Sequence, residues 1–295
     1  MDAIVRSKDG RSWHLREVRC PLCNSSRSRV SRVKNGTFIR EPFRIVSCCE
    51  CELRYVNPRI VTEEIPFLYD DAYYRGDGFD SSVRYDSVDL SSRWEYEFAF
   101  ASLENVLGSV RNRDILDVGC GSGPLLQLLK ENGANAIGID SSVSAVTLGV
   151  AKGLDVRHLH LSEVGTGIGP FDAVVMMEVI EHLTDPVDSL RRAAALLKSG
   201  GFLFVTTGNW SFVSIRRGTP YIMPEGHLSY FTPVTLAEAF RRAGLQVVDA
   251  PKNHTWIGYR LAKRFFIPTV LATLMANIIH RVAPRLGPFP FGRRP

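Results

Sequence analysis

The feature that most constrains this chain is an apolar run that ends on an acid and continues directly into three alternating glycines. Residues 115–123 read ILDVGCGSG, and leucines follow at helical spacing over residues 125–129. This pattern predicts a buried parallel strand that turns sharply into a helix. Glycines at the turn allow positive φ and the close approach of a ligand, and the first helical turn leaves N–H groups without helical partners. We therefore expect an α/β fold with a ligand site at this corner.

A second acid supports that expectation. Residues 136–140 read AIGID, a short apolar strand that ends on Asp140. In a βαβ unit, an acid at the end of the second strand binds the ribose hydroxyls of a nucleotide. Glycine turns also end ordinary strands, so a turn without a ligand is the structural alternative. The order of strand, glycines, helix, strand and acid favours a cofactor that contains a nucleoside.

Residues 116–123, LDVGCGSG, resemble the first motif of the class I S-adenosylmethionine (SAM) dependent methyltransferases almost letter for letter. Dinucleotide dehydrogenases more often carry G-x-G-x-x-G, whereas here the residue three after Gly121 is Pro124. The resemblance implies a Rossmann-like α/β fold with the seven-stranded class I methyltransferase sheet, and SAM as the cofactor. It also implies a set of cofactor-binding residues: Asp117, Gly119, Gly121, Gly123, Asp140 and Met177.

The resemblance gives each of these residues a part of the cofactor. The glycine backbone would lie along the methionine and ribose, and Asp117 would accept a hydrogen bond near the ammonium group. Asp140 would bind the ribose hydroxyls, and the backbone of Met177 would touch the cofactor. Such a cofactor is already an activated methyl donor, so the protein has mainly to align an acceptor with it.

Five of the six cysteines lie between positions 20 and 51, as CPLC at 20–23 and CCEC at 48–51. Two thiolates three positions apart on a tight turn converge on one ion, and two such turns complete a tetrahedron. We predict a structural zinc site formed by Cys20, Cys23, Cys48 and Cys51, with Cys49 as an alternative ligand. The pattern resembles the zinc ribbon that precedes the catalytic domain in many bacterial SAM methyltransferases, including those acting on sugars.

A third motif, EVIEH at residues 178–182, follows the apolar run 171–177. Helical spacing would place Glu178, Glu181 and His182 on one face. Three interpretations compete: acids that complement a helix dipole, His182 as a general base, or a divalent metal site completed by His227. The motif resembles that of the ubiquinone-pathway and small-RNA 2′-O-methyltransferases, which use E-x-x-E-H and a later histidine around a metal. It also occurs in relatives with no known metal.

Charge is distributed unevenly along the 295 residues, which carry a formal net charge of +5. Residues 1–60 contain 13 basic and 6 acidic side chains, and residues 260–295 contain 7 basic and none acidic, so the middle of the chain is acidic. We therefore expect no specific nucleic acid partner for the catalytic region. The basic flanks could meet a membrane surface, RNA or acidic glycans, or simply be solvated.

The N-terminus lacks the apolar core of a signal peptide, and no apolar run reaches the roughly 18 residues of a spanning helix. The sequence thus predicts a cytoplasmic protein, peripheral at the inner membrane surface if its acceptor is a lipid. An apolar helical stripe within residues 265–282 predicts packing on the same domain, a dimer contact or peripheral membrane attachment.

We predict four segments: a zinc-ribbon-like module over 1–60, cap helices over 61–112, a SAM-binding methyltransferase domain over 113–250, and a basic amphipathic helical tail over 251–295. Residues 210–230 break the regular pattern, as active-site lids do.

The functional expectation is a SAM-dependent methyltransferase with a small-molecule acceptor. A sugar or glycan hydroxyl comes first, by analogy alone. The alternative is a quinone- or lipid-type O-methyltransferase at a membrane surface, with a divalent metal at Glu178, Glu181 and His182. A different class is a catalytically silent scaffold whose ribbon and tail bind a partner.

Overall fold

A computed structural model describes residues 3–74, 76–80, 94–165, 167–210, 221–248 and 291–293. The strands of these residues are β1 (Ala3–Arg6), β2 (Ser12–Arg16), β3 (Ser28–Asn35), β4 (Pro42–Cys48), β5 (Arg54–Val56), β6 (Arg59–Ile60), β7 (Asp114–Val118), β8 (Asn135–Asp140), β9 (Val156–His158), β10 (Phe171–Met177), β11 (Leu197–Thr206), β12 (Ser229–Tyr230), β13 (Gln246–Val248) and β14 (Phe291–Arg293).

The α-helices of the same residues are α1 (Asp71–Tyr74), α2 (Trp94–Leu107), α3 (Pro124–Glu131), α4 (Val143–Ala151), α5 (Pro186–Ala195) and α6 (Pro233–Arg242). Their starts follow local chemistry, because Asp185 and Thr232 cap α5 and α6 with their side chains and a proline follows each cap. In this described part of the chain, no helix has both the length and the apolar character needed to cross a bilayer.

The central sheet has seven strands in the order β9–β8–β7–β10–β11–β14–β13. The five strands from β9 to β11 pair in parallel, and β14 is antiparallel to both β11 and β13. This arrangement confirms the predicted Rossmann-like sheet. The carboxyl ends of the parallel strands share one edge, and a ligand site is expected at that edge.

The last strand was missed by the sequence analysis. The sequence predicts a tail over residues 251–295, whereas Phe291–Arg293 inserts between β11 and β13. A three-residue strand that contains a glycine has no alternating pattern that could predict it. The apolar stripe at 265–282 lies outside the described residues.

The N-terminal sixty residues form two small sheets, one of which takes a strand from the catalytic half. The first has the order β1–β2–β6, and the second has the order β12–β5–β4–β3. In the second sheet, Ser229 and Tyr230 of β12 pair antiparallel with Tyr55 and Arg54 of β5. The chain just after His227 is therefore an edge strand of the cysteine-bearing sheet.

Hydrophobic packing joins the same two regions. One buried cluster contains Leu53 and Tyr55 together with Leu116, Val174 and Leu203 of the central sheet. A second cluster combines side chains of the N-terminal sheets with those of residues 222–230. Because both clusters draw on both halves, the N-terminal strands and the central sheet should unfold together.

Leu53→Ala tests this shared core. Leu53 is fully buried, so its truncation should lower the free energy of unfolding by about 2–5 kcal/mol. Urea denaturation followed by far-UV circular dichroism and by tryptophan fluorescence should show one coincident transition, shifted to lower urea. Val30→Ala, at a position 57% exposed, is the control and should change the free energy by less than about 0.5 kcal/mol. Separate transitions for the two probes would contradict the shared core.

Candidate active site

The glycine motif forms the turn between β7 and α3, as predicted. Gly119, Gly121 and Gly123 have φ of 69°, 57° and 78°, and Gly123 is the N-cap residue of α3. This left-handed conformation strains residues that carry a Cβ. The turn therefore needs glycine for backbone reasons alone.

Most amides of the glycine turn itself are paired within the protein. The amides of Gly119 and Cys120 donate to the carbonyl of Ile139, and the amide of Gly123 donates to Cys120. The amide of Gly121 donates to Asp140 Oδ2 at 2.9 Å. These hydrogen bonds fasten the turn to the end of β8.

Two of the glycines also make room for protein side chains. A Cβ added to Gly119 would lie 2.6 Å from Cγ2 of Val179, and one added to Gly123 would lie 2.6 Å from Cδ1 of Leu154. Contacts this short exceed what packing tolerates. Val179 therefore brings the 178–182 segment directly against the glycine turn.

Two buried carboxyl groups lie beside this turn. Asp140 Oδ1 accepts from the amide of Ser142 at 2.9 Å and from the Tyr74 hydroxyl at 3.5 Å. Burial raises the pKa of Asp140, and burial together with the charge on Asp140 raises the pKa of Asp117 to about 8. Neighbouring acids with raised pKa values suit a positively charged ligand. The pair fits SAM, whose sulfonium and ammonium groups are both cationic.

A cavity of about 480 Å³ opens next to the end of β8. Its lining residues are Tyr69, Asp70, Ala72, Ser141, Ser142, Val143 and Ser144. Ser142 also donates to Asp140, and Tyr69 also contacts His182. The cavity thus adjoins both the acidic end of β8 and the 178–182 segment.

The 178–182 segment is not the helix that the spacing suggested. Met177 ends β10, Glu178 takes a left-handed conformation with φ of 52°, and a single 3₁₀ turn covers Ile180–His182. The amide of Glu178 donates to the carbonyl and the hydroxyl of Thr206, which fixes this strained residue. A left-handed non-glycine residue at a strand end often marks a functional site.

Three side chains of the predicted site come together here. A carboxylate oxygen of Glu181 and ring nitrogens of His182 and His227 all lie within 4.8 Å of one another. Glu181 is fully buried, and burial together with the charge on Glu178 raises the pKa of its carboxyl group well above the usual range. Glu178 lies outside this group. His227 thus joins the site as predicted, whereas Glu178 stands beside it.

Both histidines are oriented by backbone carbonyls. His182 Nδ1 lies 3.0 Å from the carbonyl of Gly226 and 2.8 Å from the Tyr69 hydroxyl. Because a carbonyl only accepts, this network assigns the proton to Nδ1 and leaves the Nε2 lone pair available. His227 hydrogen-bonds the backbone of Tyr221, while its Nδ1 is buried without a partner. Metal-binding histidines are typically held in this way.

Burial decides the protonation of the histidines. It lowers the pKa of His182 to about 4, and it lowers the pKa of His227 well below its usual range. Both rings are therefore neutral near pH 7, the form that binds metals. A base with a pKa near 4 takes protons poorly, so the arrangement favours a ligand role for His182 over a general-base role.

The donor set fits a divalent metal. Glu181 Oε2 and His227 Nδ1 are buried atoms without hydrogen-bond partners, which is costly unless a partner is supplied. Two imidazoles and a carboxylate are ligands that divalent transition metals accept. Tyr221 supports the carboxylate, since its hydroxyl donates to Glu181 Oε1 at 3.3 Å.

The four predicted cysteines converge at the N-terminal end of the chain. Sγ of Cys20 lies 3.5 Å from Sγ of Cys51, and Sγ of Cys23 lies 3.4 Å from Sγ of Cys48. A tetrahedral zinc with Zn–S bonds of about 2.3 Å separates its sulfurs by about 3.8 Å. These thiols are all free, and Cys49 is exposed and outside the group. The donor set fits zinc.

Sequence reasoning missed two residues that hold the site together. Tyr221 is half-buried and donates to Glu181, and Glu225 is buried and accepts from the amide of Phe38. Glu225 stands next to Gly226 and His227 in the PEGH run at 224–227. The available signal for Glu225 was an acid between a proline and a glycine, next to a candidate metal ligand. Nothing in the sequence indicated which distant segment it would contact.

The sheet order with one antiparallel strand, the glycine turn after β7 and the acid at the end of β8 define a class I SAM-dependent methyltransferase. Residues 71–250, more than half of the chain, match the family model described as a methyltransferase domain. The chain belongs to this methyltransferase family.

Parts of the chain are similar in sequence or in fold to known proteins. Over 160 residues it is 34% identical to the ubiquinone biosynthesis O-methyltransferase of Bordetella avium strain 197N, covering 49% of this chain and 66% of that protein, just under two thirds of its length. Over 191 residues it is 28% identical to the protein of the same name from Acinetobacter baumannii strain ACICU, covering 58% and 79%. The crystal structure of the plantazolicin methyltransferase BpumL, in complex with a pentazolic desmethylPZN analog and SAH, shares the fold. Its TM-score is 0.52 at 14% identity, over 78% of this chain and 93% of that chain.

Asp117→Asn should flatten the pH dependence of stability. The unfolded chain releases this proton near pH 4, and the folded chain releases it near pH 8. Between these values the folded state binds more protons, so the contribution of Asp117 to the free energy of unfolding falls as pH rises. Urea denaturation of SAM-free protein from about pH 5 to 8 should show a shallower decline for the variant. Parallel curves for the two proteins would show that Asp117 is not protonated in the folded state.

Cys20→Ser should remove the N-terminal metal. A serine hydroxyl is a poor zinc ligand compared with a thiolate, so zinc per chain, measured by plasma mass spectrometry, should fall from about one to a small fraction. Cys49→Ser is the matched control and should keep the wild-type zinc content. Metal-free wild-type protein, or equal zinc loss in both variants, would contradict the four-cysteine site.

Proposed function

We propose that the protein is a SAM-dependent O-methyltransferase that acts on the hydroxyl group of a small quinone-type or phenolic acceptor, with a divalent metal bound by Glu181, His182 and His227. The observation that carries this proposal is the group of three ligand-bearing side chains within 4.8 Å. Two of its buried atoms have no other partner. Such a group suits a hydroxyl acceptor, since a bound divalent ion would polarise the hydroxyl oxygen and lower the pKa of the hydroxyl group.

The cofactor would bind along the carboxyl edge of the sheet. In this proposal the backbone of residues 119–123 and of Met177 contacts the methionine and ribose, and Asp140 binds the ribose hydroxyls. Asp117 balances positive charge near the ammonium group. SAM supplies an activated methyl group, so these residues contribute binding and orientation rather than chemistry. The close packing of Val179 against Gly119 supports this proposal, because it brings the 178–182 segment up to the glycine turn.

Glu178 has a different role in this proposal. Glu178 lies beside Glu181, and burial raises the pKa of its carboxyl group. Glu181, His182 and His227 would commit their lone pairs to the metal. Glu178 is therefore our candidate for accepting the proton that the acceptor hydroxyl loses. Tyr69, which contacts His182 and lines the cavity, would lie along the acceptor's path.

The choice of acceptor follows the relatives rather than the first expectation. The similar proteins quoted above are named as O-methyltransferases of ubiquinone biosynthesis. That name favours a quinone-type hydroxyl over the sugar or glycan hydroxyl that the sequence analysis put first. Membrane contact through residues 265–282 stays a prediction, because those residues lie outside the described ranges.

The N-terminal cysteine group has a structural role in this proposal. Zinc bound by Cys20, Cys23, Cys48 and Cys51 would occupy a closed site without an open coordination position. It would stabilise the ribbon-like module whose sheet continues into β12.

His227→Ala tests the metal proposal in the zinc-loaded full chain. Methyl transfer from SAM to a catechol, followed by mass spectrometry, should require added Mn²⁺ or Mg²⁺ after dialysis against a mild chelator. The variant should lose about 100-fold or more in rate, as enzymes that lose a catalytic electrophile do. SAM affinity, measured by calorimetry, should change little.

His14→Ala is the matched control, because His14 lies at the surface and hydrogen-bonds Glu64, and such exposed contacts contribute little. Metal-independent turnover by wild type, or an unimpaired His227→Ala variant, would overturn the metal role. Failure of the wild type to bind SAM would instead favour the silent scaffold.

A further inference from the structure

The turn that carries His227 is held by a residue that takes no part in the proposed chemistry. The amides of Gly226 and His227 both donate to the carbonyl of Met223, at 3.1 and 2.8 Å. Glu225 lies in the middle of this tight turn and is fully buried. A buried carboxylate needs hydrogen-bond partners, and its partners therefore fix where the turn lies.

Those partners come from the other end of the sequence. Residues 36–39 form the tip of the β3–β4 hairpin, and the amides of Phe38 and Ile39 donate to Glu225 Oε1 at 2.8 and 3.2 Å. Space is tight at this contact, because a Cβ added to Gly36 would lie 2.3 Å from Glu225 Oε1 and 2.1 Å from the carbonyl of Ile39. The hairpin tip and Glu225 thus fit together closely.

The same tip supports the turn from a second side. The hydroxyl of Thr37 donates to the carbonyl of Phe79 at 2.6 Å. The ring of Phe79 packs against Gly226, where an added Cβ would lie 2.3 Å from Cε2. The carbonyl of Gly226 in turn accepts from His182 Nδ1. The hairpin tip therefore constrains both the His227 ring and the carbonyl that orients His182.

We propose that the β3–β4 hairpin tip, acting through Glu225, is a positioning element for the active-site metal, so that the N-terminal segment sets the metal affinity of a site in the catalytic half. This inference rests on the proposed metal role of Glu181, His182 and His227. Glu225 lies outside the group of three candidate ligands. It fixes the turn that presents one ligand and orients another.

Gly36→Ala tests the inference from the hairpin side, far along the chain from the metal ligands. The added methyl group should displace Glu225 and weaken Mn²⁺ binding about tenfold or more, the range seen when supporting partners of metal ligands are lost. Mn²⁺ affinity is measured by electron paramagnetic resonance on zinc-loaded full-length protein. Gly167→Ala is the matched control, because nothing lies within 4 Å of its added Cβ, and it should bind Mn²⁺ like wild type.

Variants of Glu225 test the same contact from the partner of the hairpin tip. They keep the inference testable if Gly36→Ala does not fold. Both hairpin amides donate to one oxygen, which glutamine retains, so Glu225→Gln should stay within about threefold of wild type. Glu225→Ala should lose about tenfold or more. A purely structural role would lower the melting temperature in both variants without changing Mn²⁺ affinity below it.

The outcomes separate the two proposals. Wild-type Mn²⁺ affinity in folded Gly36→Ala and Glu225→Ala, together with loss of binding in His227→Ala, overturns the positioning role and leaves the metal site standing. Wild-type protein that binds no Mn²⁺ overturns both. Weakened binding in Gly36→Ala and Glu225→Ala, with recovery in Glu225→Gln, supports the positioning role.

Discussion

The backbone of Leu228 connects the two halves of this protein. Its amide donates to the carbonyl of Glu181 at 2.8 Å, and its carbonyl accepts from the amide of Val56 at 2.9 Å. Leu228 is thus hydrogen-bonded to a candidate metal ligand through its amide and to the cysteine-bearing sheet through its carbonyl. Of its two neighbours, His227 belongs to the group of candidate metal ligands, and Ser229 pairs with Tyr55 in the cysteine-bearing sheet. The active site depends on this strand addition, because it brings His227 beside Glu181 and His182.

The glycine turn with its two acids and the group of Glu181, His182 and His227 have similar electrostatics. Each contains buried carboxyl groups with raised pKa values, Asp117 and Asp140 in the first and Glu181 in the second. Folding keeps these acids in an environment that disfavours their charged forms, and a bound cation reverses that preference. In the proposed function the two ligands, SAM and a divalent ion, are both cations, so each would favour the charged form of the acids around it.

Local sequence pattern predicted the parts of the structure that depend on neighbouring residues. The strand at Phe171–Met177, the glycine turn after β7, the acid at the end of β8 and the convergence of Cys20, Cys23, Cys48 and Cys51 all follow from short spacings. Helical spacing failed at 178–182 because Glu178 is held left-handed by Thr206, a partner far along the chain. Strand β14 and the contact of Glu225 with the hairpin tip were missed for the same reason, since both depend on distant pairing rather than local preference.

The central claim is that a metal joins Glu181, His182 and His227 beside the methyl donor. Anomalous diffraction from crystals grown with Mn²⁺ and S-adenosylhomocysteine tests it most directly. The account predicts a manganese peak within bonding distance of all three side chains, with the nucleoside of the cofactor product beside Asp140. A peak elsewhere, or side chains of the trio closed on one another by hydrogen bonds in the presence of Mn²⁺, would contradict it.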